Sequence, residues 1–235
     1  MKRIVQTELL DRLLPADPRA IRSRRDLRRL NWWMRHHAIM AGVLRNHLPQ
    51  SPKQITELGA GDGSFLLHVV RKFKNVSARN RHRALPATAT LLDLQDSVSP
   101  ETFAAFAKSG WSAKSIVTDV FDWEAAGDAR QVIIANLFLH HFEDARLAEL
   151  LQLISARTKL FIALEPRRAA WPLWCSRLLW AIGCNDVTRH DAPVSVRAGF
   201  SGNEISSLWP DKNKWRLTER PVGVFSHLFI AQKIN

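Results

Sequence analysis

The chain has 235 residues, of which 46% are hydrophobic and 24% are charged. This composition predicts one folded domain with an extension and excludes a disordered chain, because enough apolar surface is available for a core. No apolar run approaches the roughly 18 to 20 residues that cross a bilayer, and the start of the chain lacks the apolar segment of a signal peptide, so we expect a cytoplasmic protein.

The formal net charge of +12 is concentrated in two stretches. Residues 1–50 hold eleven Lys or Arg against four acids, and residues 71–83 hold six against none. The basicity therefore belongs to an N-terminal appendage and one loop. A basic field attracts anionic partners. Two interpretations stay open: a solvated surface, or a binding surface for nucleic acid or an acidic partner.

The first 50 residues are predicted to form a helical cap. Apolar residues recur at steps of three and four after Pro15 and Pro18, which predicts a helix over Leu27–Leu44. This helix either closes over a ligand site or only covers a sheet. We therefore expect a helical cap at 1–50 and a larger domain at 51–235.

Residues 55–63 carry the most informative pattern, an apolar strand that ends in Glu57 and runs into three glycines. Gly59 and Gly61 allow a sharp turn that brings bare backbone against a ligand. Gly63 allows the following helix, Ser64–Phe73, to pack closely on the strand. The pattern predicts a nucleoside-cofactor site, although one glycine motif alone is ambiguous with a dinucleotide fingerprint.

Further apolar segments follow in order and predict the rest of an α/β sheet. Three of them, 89–93, 115–121 and 131–136, have Asp93, Asp119 and Asn136 at or near their ends. Strand 159–165 comes next, after an amphipathic helix that runs to Leu153. Segments 215–221 and 225–232 flank a glycine turn and predict an antiparallel hairpin.

This order, with an acid two residues before Gly-x-Gly-x-Gly, resembles the class I S-adenosylmethionine-dependent methyltransferases of small-molecule type over residues 50–165. The resemblance implies a Rossmann-like three-layer α/β/α sandwich, with a seven-stranded, mostly parallel sheet and one antiparallel strand. It makes 51–235 a methyltransferase domain, with an acceptor-site insertion at about 167–200.

The resemblance also implies a set of ligands for S-adenosyl-L-methionine. Asp93 would take the ribose hydroxyls, although Asp96 is close enough to compete for that role. Asp119 with Val120 would flank the adenine, and Asn136 with Gly59 would hold the methionine end. The remaining cofactor-binding residues would be Glu57, Gly61 and Gly63.

The acceptor site is predicted from the insertion and from the loop after the fourth strand. His190 and His141 are candidate general bases, because a neutral imidazole accepts a proton near pH 7. If the loop after the fourth strand is shifted by one residue, His140 takes the place of His141 as the candidate base. Arg167 and Arg197 are candidate clamps for an anionic acceptor.

Trp171 is a candidate acceptor contact within the apolar stretch 171–182. This stretch is interpreted as a pocket lid, a core helix or an interfacial membrane contact. Cys175 and Cys184 lack metal-ligand spacing, so we predict free thiols and no metal site.

The expected function is methylation of a small molecule, with an oxygen of an aromatic or polyketide-like metabolite as the preferred acceptor atom. Methyltransferases that act on DNA amines carry Asn or Asp followed by Pro-Pro-aromatic, and here Leu-Phe-Leu follows Asn136. Cytosine carbon methyltransferases need a Pro-Cys nucleophile near this position, and this chain has no cysteine before Cys175. Three alternatives remain: an RNA methyltransferase, a noncatalytic protein that binds nucleic acid or an acidic partner, and a nicotinamide-dependent oxidoreductase.

Overall fold

The computed structural model describes residues 1–48, 52–73, 87–123 and 131–234. Within these ranges seven strands form one sheet: β1 Gln54–Leu58, β2 Ala87–Asp93, β3 Trp111–Val117, β4 Gln131–Asn136, β5 Thr158–Pro166, β6 Trp215–Val222 and β7 Ser226–Lys233. The α-helices are α1 Leu9–Arg12, α2 Pro18–Trp33, α3 His36–His47, α4 Ser64–Phe73, α5 Pro100–Lys108, α6 Asp144–Arg157, α7 Ala170–Ser176, α8 Asp186–Ala198 and α9 Glu204–Leu208.

The strand order is β3-β2-β1-β4-β5-β7-β6, and only β7 runs against the other strands. The order reverses between β1 and β4. In open α/β sheets, ligands bind outside the carboxyl ends of the strands at such a reversal. The predicted fold class, a three-layer α/β/α sandwich with one antiparallel strand, is confirmed.

Both faces of the sheet are buried, because its central strands are apolar at successive positions rather than at alternate ones. Along β4, Ile134 joins a core with α3, α4 and α5, whereas Ile133 joins a second core with α6 and α9. Leu160 and Phe161 divide between the same two cores in β5. This packing holds the strand ends of β1, β2 and β4 at one edge.

Two predicted element boundaries differ from the structure. Strand β3 ends at Val117, before the predicted segment does, and the Asp119 carboxylate accepts a hydrogen bond from the Phe121 amide at 2.9 Å. A short acidic side chain that bonds its own backbone favours a turn over a strand. The predicted helix Leu27–Leu44 is divided between α2 and α3, because Arg35 adopts a left-handed conformation (φ 58°).

The N-terminal region has two parts that lie in different places: α3 packs in a core, and the segment before it lies at the cavity. Helix α3 belongs to the first core, where Met40 and Leu44 are completely buried. The segment before it crosses the cavity edge of the sheet, and the Ile4 amide donates to the carbonyl of Arg197 in α8 at 3.1 Å. The division of the chain at residue 50 stays a prediction, and residues 74–83 of the predicted basic loop lie outside the described residues.

The predicted insertion forms α7, a 3-10 turn at Leu179–Ile182 and α8. Its tryptophan-rich part is therefore broken into two short pieces. Among the described residues, no helix is both long enough and apolar enough to cross a bilayer.

Gly63 is required where α4 approaches β2. Its φ is +72°, and a Cβ there would lie 2.8 Å from Leu91 Cδ1. We expect Gly63→Ala to lower the free energy of unfolding by about 2–4 kcal/mol, from backbone strain and overpacking together. Gly202→Ala is the matched control, since Gly202 also has a positive φ (+59°) but open space around it. Urea unfolding of both variants measures the difference, and equal losses would contradict the packing role of Gly63.

Candidate cofactor and acceptor site

One cavity of about 810 Å3 lies at the carboxyl edge of the sheet, where the strand order reverses. The glycine loop and the ends of β1, β2 and β4 form its floor. Helices α1, α2, α7 and α8 form its walls and roof. The wall opposite the glycine loop is largely apolar, and its lining includes Leu27, Leu30, Met34, Leu179 and Ile182.

The two glycines that line the cavity have different roles. A Cβ on Gly59 (φ +66°) would lie 2.4 Å from Phe138 Cδ2, so this position admits no larger residue. Gly61 (φ +54°) has no atom within 4 Å of its would-be Cβ. Gly59 therefore allows the loop to pack against the segment after β4, and Gly61 leaves backbone exposed to the cavity.

Asp93, at the end of β2, faces the same cavity and fixes the glycine loop. One carboxylate oxygen accepts from the Gly61 amide at 2.8 Å, and the other accepts from the Gln95 amide at 2.9 Å. Each oxygen keeps further acceptor capacity, because a carboxylate offers about four lone-pair positions. The competing residue Asp96 is exposed and is not part of the cavity wall.

Glu57 is a buried acid with an unused oxygen. Its Oε2 atom has no hydrogen-bond partner among the described residues. Burial, with the nearby charges of Asp62 and Asp93, raises the pKa of Glu57 well above its usual range. An unpaired buried oxygen is costly, so this position favours a ligand that brings a donor or a positive charge.

Asp119 and Val120 also line the cavity, beyond the end of β3. Asp119 is oriented by the Phe121 amide. Val120 is 8% exposed and packs in the second core. The two residues thus present one polar and one apolar surface side by side.

Asn136 lines the cavity and connects β4 to the N-terminal helices. Its Oδ1 lies 2.7 Å from Nδ1 of His36 in α3, and its Nδ2 donates to Asn31 Oδ1 of α2 at 3.2 Å. Burial lowers the pKa of His36 to about 4, so the imidazole is neutral at pH 7. Its Nε2 lies 2.6 Å from Ser226 Oγ. The side chain of Asn136 is therefore engaged by protein groups on two sides.

A chain of three charged groups, here called the carboxylate–histidine bridge, joins the strand edge to the N-terminal segment. It consists of Glu165, His140 and Glu8. His140 Nδ1 lies 2.8 Å from Glu165 Oε2, and Nε2 lies 3.3 Å from Glu8 Oε1. All three residues are buried, and Ser195 of α8 donates to Glu8.

The charges within this bridge support one another. Although burial opposes it, the two carboxylates raise the pKa of His140 to about 9. The imidazolium in turn outweighs the effect of burial on Glu8 and lowers its pKa to about 2. His140 is therefore protonated at pH 7, and its two nitrogens donate to the two carboxylates. Such a group binds and orients, but it is not an available base.

His141, the other histidine of the junction after β4, lines the cavity and is partly exposed. Its Nδ1 lies 3.3 Å from Asp11 Oδ2 of α1, and both residues line the cavity. A carboxylate beside Nδ1 leaves Nε2 as the proton acceptor. Ligand atoms of Glu8, His140 and His141 also lie within 4.8 Å of one another, a spacing suited to a metal ion, although the imidazole of His140 already has a carboxylate at each nitrogen.

The structure does not bring all of the predicted site residues to the cavity. His190 faces outward with its side chain 51% exposed, and its Nδ1 lies 2.8 Å from Asp191 Oδ1. Arg167, Trp171 and Arg197 are also outside the cavity wall. Gly63, the last glycine of the motif, lies against Leu91 and Thr102 and does not line the cavity.

Two buried groups at the site were not predicted as functional. The sequence around Glu8 contains no motif that indicates a binding or catalytic role. His36 lies in a helix whose only sequence signal was its apolar spacing. Both contact residues more than 90 positions away in the sequence, so local patterns could not identify them.

Comparison with solved structures identifies the fold. The chain matches the plantazolicin methyltransferase BpumL in complex with SAH with a TM-score of 0.64 and 14% identity, over 93% of this chain and 92% of that one. It matches a putative O-methyltransferase from Nostoc punctiforme PCC 73102 with a TM-score of 0.58 and 15% identity, over 85% of this chain and 56% of that one.

A third match is the magnesium protoporphyrin IX methyltransferase ChlM from Synechocystis PCC 6803 with bound SAH, with a TM-score of 0.55 and 10% identity over 86% and 83% of the two chains. The chain therefore has the fold of the class I methyltransferases, as the resemblance implied. No protein-family model and no curated protein matches the sequence.

The carboxylate–histidine bridge predicts how stability depends on pH. The pKa of His140 in the folded state is raised from 6.5 to about 9. The stability that the protonated imidazole contributes is therefore fully present below pH 6.5, and it is lost as the pH rises through 9. We expect the melting temperature to fall between these values. His140→Gln should cost about 3–5 kcal/mol at pH 6.5, since it leaves two buried carboxylates unpaired, and should reduce this alkaline loss.

Differential scanning calorimetry between pH 6 and pH 9 measures both effects. His190→Gln is the matched control, because His190 is exposed, and it should keep the alkaline loss of the unmodified protein. The same pH dependence in the His140→Gln variant would contradict the assignment of the charge to His140.

Proposed function

We propose that the protein is an S-adenosylmethionine-dependent methyltransferase that acts on a small molecule. The observation that carries the proposal is the convergence of Glu57, Gly61, Asp93 and Asp119 on one cavity at the reversal of the strand order. These groups come from the ends of three neighbouring strands and from the glycine loop. A nucleoside with a charged amino-acid end matches their chemistry.

Several features support a fit between these residues and the cofactor. The unpaired Oε2 of Glu57 favours a ligand with a hydrogen-bond donor or a positive charge. Gly61 has no side chain and therefore leaves open the space beside its backbone, which a ligand can occupy. Asp93 would accept from the ribose hydroxyls. Asp119 and Val120 would flank the adenine. Glu57 with Gly59 would hold the methionine end in place of the predicted Asn136, whose side chain is engaged by His36 and Asn31. The bound cofactor supplies an activated methyl group on its sulfonium.

The remaining role of the protein is to position an acceptor and to exclude water. Methyl transfer requires the acceptor atom in line with the bond that breaks, at near-attack distance. The apolar wall formed by α2 and the 3-10 turn after α7 suits an aromatic or polyketide-like acceptor. We infer an oxygen nucleophile, because His141, with Asp11 beside its Nδ1, can accept a hydroxyl proton at Nε2.

The solved structures support the cofactor more strongly than the acceptor. BpumL and ChlM are both described with SAH, the cofactor's product. BpumL is also described with azolic desmethylPZN analogs, and ChlM is named for a porphyrin. Their acceptors differ greatly, so they favour a small-molecule acceptor without selecting one.

Cofactor binding is tested by calorimetry with S-adenosylhomocysteine and, separately, with NAD. We expect binding of the first compound only. Asp93→Asn should weaken it at least about tenfold, because a carboxylate is lost where charge-assisted hydrogen bonds are expected. Asp96→Asn is the matched control and should bind normally. NAD binding, or equal effects of the two variants, would contradict the assigned cofactor site.

The role of His141 is tested by turnover of labelled cofactor with a panel of phenols. With any phenol that is methylated, His141→Gln should lower kcat by about 10²–10⁴-fold while S-adenosylhomocysteine still binds, since a general base contributes on that order. His190→Gln should leave kcat unchanged, because His190 is outside the cavity. The reverse result would move the base to His190.

A further inference from the structure

Five of the nine tryptophans of the chain are unusually exposed. Four tryptophans, at 111, 123, 209 and 215, are at most 6% exposed and pack in the two cores. The other five are between 51% and 65% exposed: Trp32, Trp33, Trp171, Trp174 and Trp180. Large aromatic side chains are normally buried, so their exposure in one region indicates an interaction surface.

These five tryptophans come from two elements that meet beside the cavity. Two of them end α2, and three belong to α7 and the 3-10 turn that follows. Arg29 of α2 donates to the carbonyl of Ile182 at 3.0 Å, which joins the two elements. Trp171 and Trp174 stack on each other with ring centroids 5.0 Å apart. Trp32 instead lines a small pocket with His37 and His68. Arg29 also lies over the ring of Trp33, 6.0 Å from its centroid. We call Trp33, Trp171, Trp174 and Trp180, together with Leu178, the tryptophan rim.

The tryptophan rim is continuous with the cavity. Trp33 and Leu178 line the cavity and are also exposed to solvent, at 51% and 37%. The apolar wall of the cavity therefore continues onto the surface at the rim. A partner that covers the rim would also cover this approach to the site.

The charge around the rim is positive. Arg177, between Trp174 and Trp180 in the sequence, is exposed, whereas Arg168 is buried and paired with Glu204. Arg22 and Arg25 are exposed on α2, whereas Asp26 beside them is 6% exposed and accepts from the Asn185 amide. Tryptophan with arginine is the combination found at the headgroup level of bilayers, where indole rings sit at the interface and basic side chains pair with anionic lipids.

We propose that the tryptophan rim docks the cavity on an anionic lipid surface, from which a lipophilic acceptor enters. The docking itself rests on the rim and its arginines. The entry of the acceptor rests also on the proposed function. Membrane contact was one of three interpretations of residues 171–182. The exposed Trp33 of α2 favours it, because it extends the rim to a second element beside the same cavity.

Docking is tested with the full chain, without cofactor, by sedimentation with phosphatidylcholine vesicles that contain or lack phosphatidylglycerol. We expect binding to the anionic vesicles and a blue shift of tryptophan fluorescence. The double variant Trp171→Ala/Trp174→Ala should weaken binding about tenfold. Arg22→Ser/Arg25→Ser should weaken it about 25-fold, since each basic residue near an anionic surface is worth roughly a factor of five.

Arg216→Ser is the matched control, because Arg216 is exposed near the start of β6, at the opposite edge of the sheet, and it should bind vesicles normally. Sedimentation with neither vesicle type, equal binding of all variants, or binding to an RNA oligonucleotide in place of vesicles would overturn the proposal.

Calorimetry with S-adenosylhomocysteine on the same variants separates the two proposals. Normal cofactor binding without vesicle binding overturns only the docking. Vesicle binding without cofactor binding leaves the docking and overturns the proposed methyl transfer.

Discussion

The arrangement of the site depends on one buried charge, the imidazolium of His140 between Glu165 and Glu8. Glu165, at the end of β5, also accepts from the amides of Phe138 and Leu139, so it fixes the loop that follows β4. On the other side, Glu8 holds the N-terminal segment over the cavity. The bridge therefore connects the floor of the cavity to its roof. A buried charge of this kind persists only because both carboxylates pair with it.

The two halves of the cavity are built differently. The glycine loop and the strand ends are backed by two apolar cores, which hold Asp93 and Glu57 at fixed positions. The other wall is made by helices outside the sheet. They are joined by polar contacts such as that of Asp26 in α2, which accepts from the Asn185 amide before α8 at 2.8 Å. The proposed cofactor half and the proposed acceptor half are thus built separately. One fold can host different sites in this way, since BpumL is described with a triazolic desmethylPZN analog and ChlM is named for magnesium protoporphyrin IX.

The cofactor half could be predicted because its signals are local. The glycine spacing and the acid after each strand depend on neighbours in sequence, and only the end of β3 was misplaced. The acceptor half could not be predicted in this way. A step of one residue turns a helix by about 100°, so in α8 Asp191 and Ser195 point to the N-terminal segment while His190 faces solvent.

The sequence by itself determined the succession of the strands along the chain, the position of the glycine loop and the acids at the ends of β1 and β2. Only the tertiary structure decided that Asn136 contacts His36 and that Glu8 reaches His140. It also decided that Trp33 of α2 and the tryptophan-rich segment 171–182 border the same cavity. Local patterns reflect the conformation of neighbouring residues. Contacts between residues 100 or more positions apart depend on how whole elements pack, which no short segment specifies.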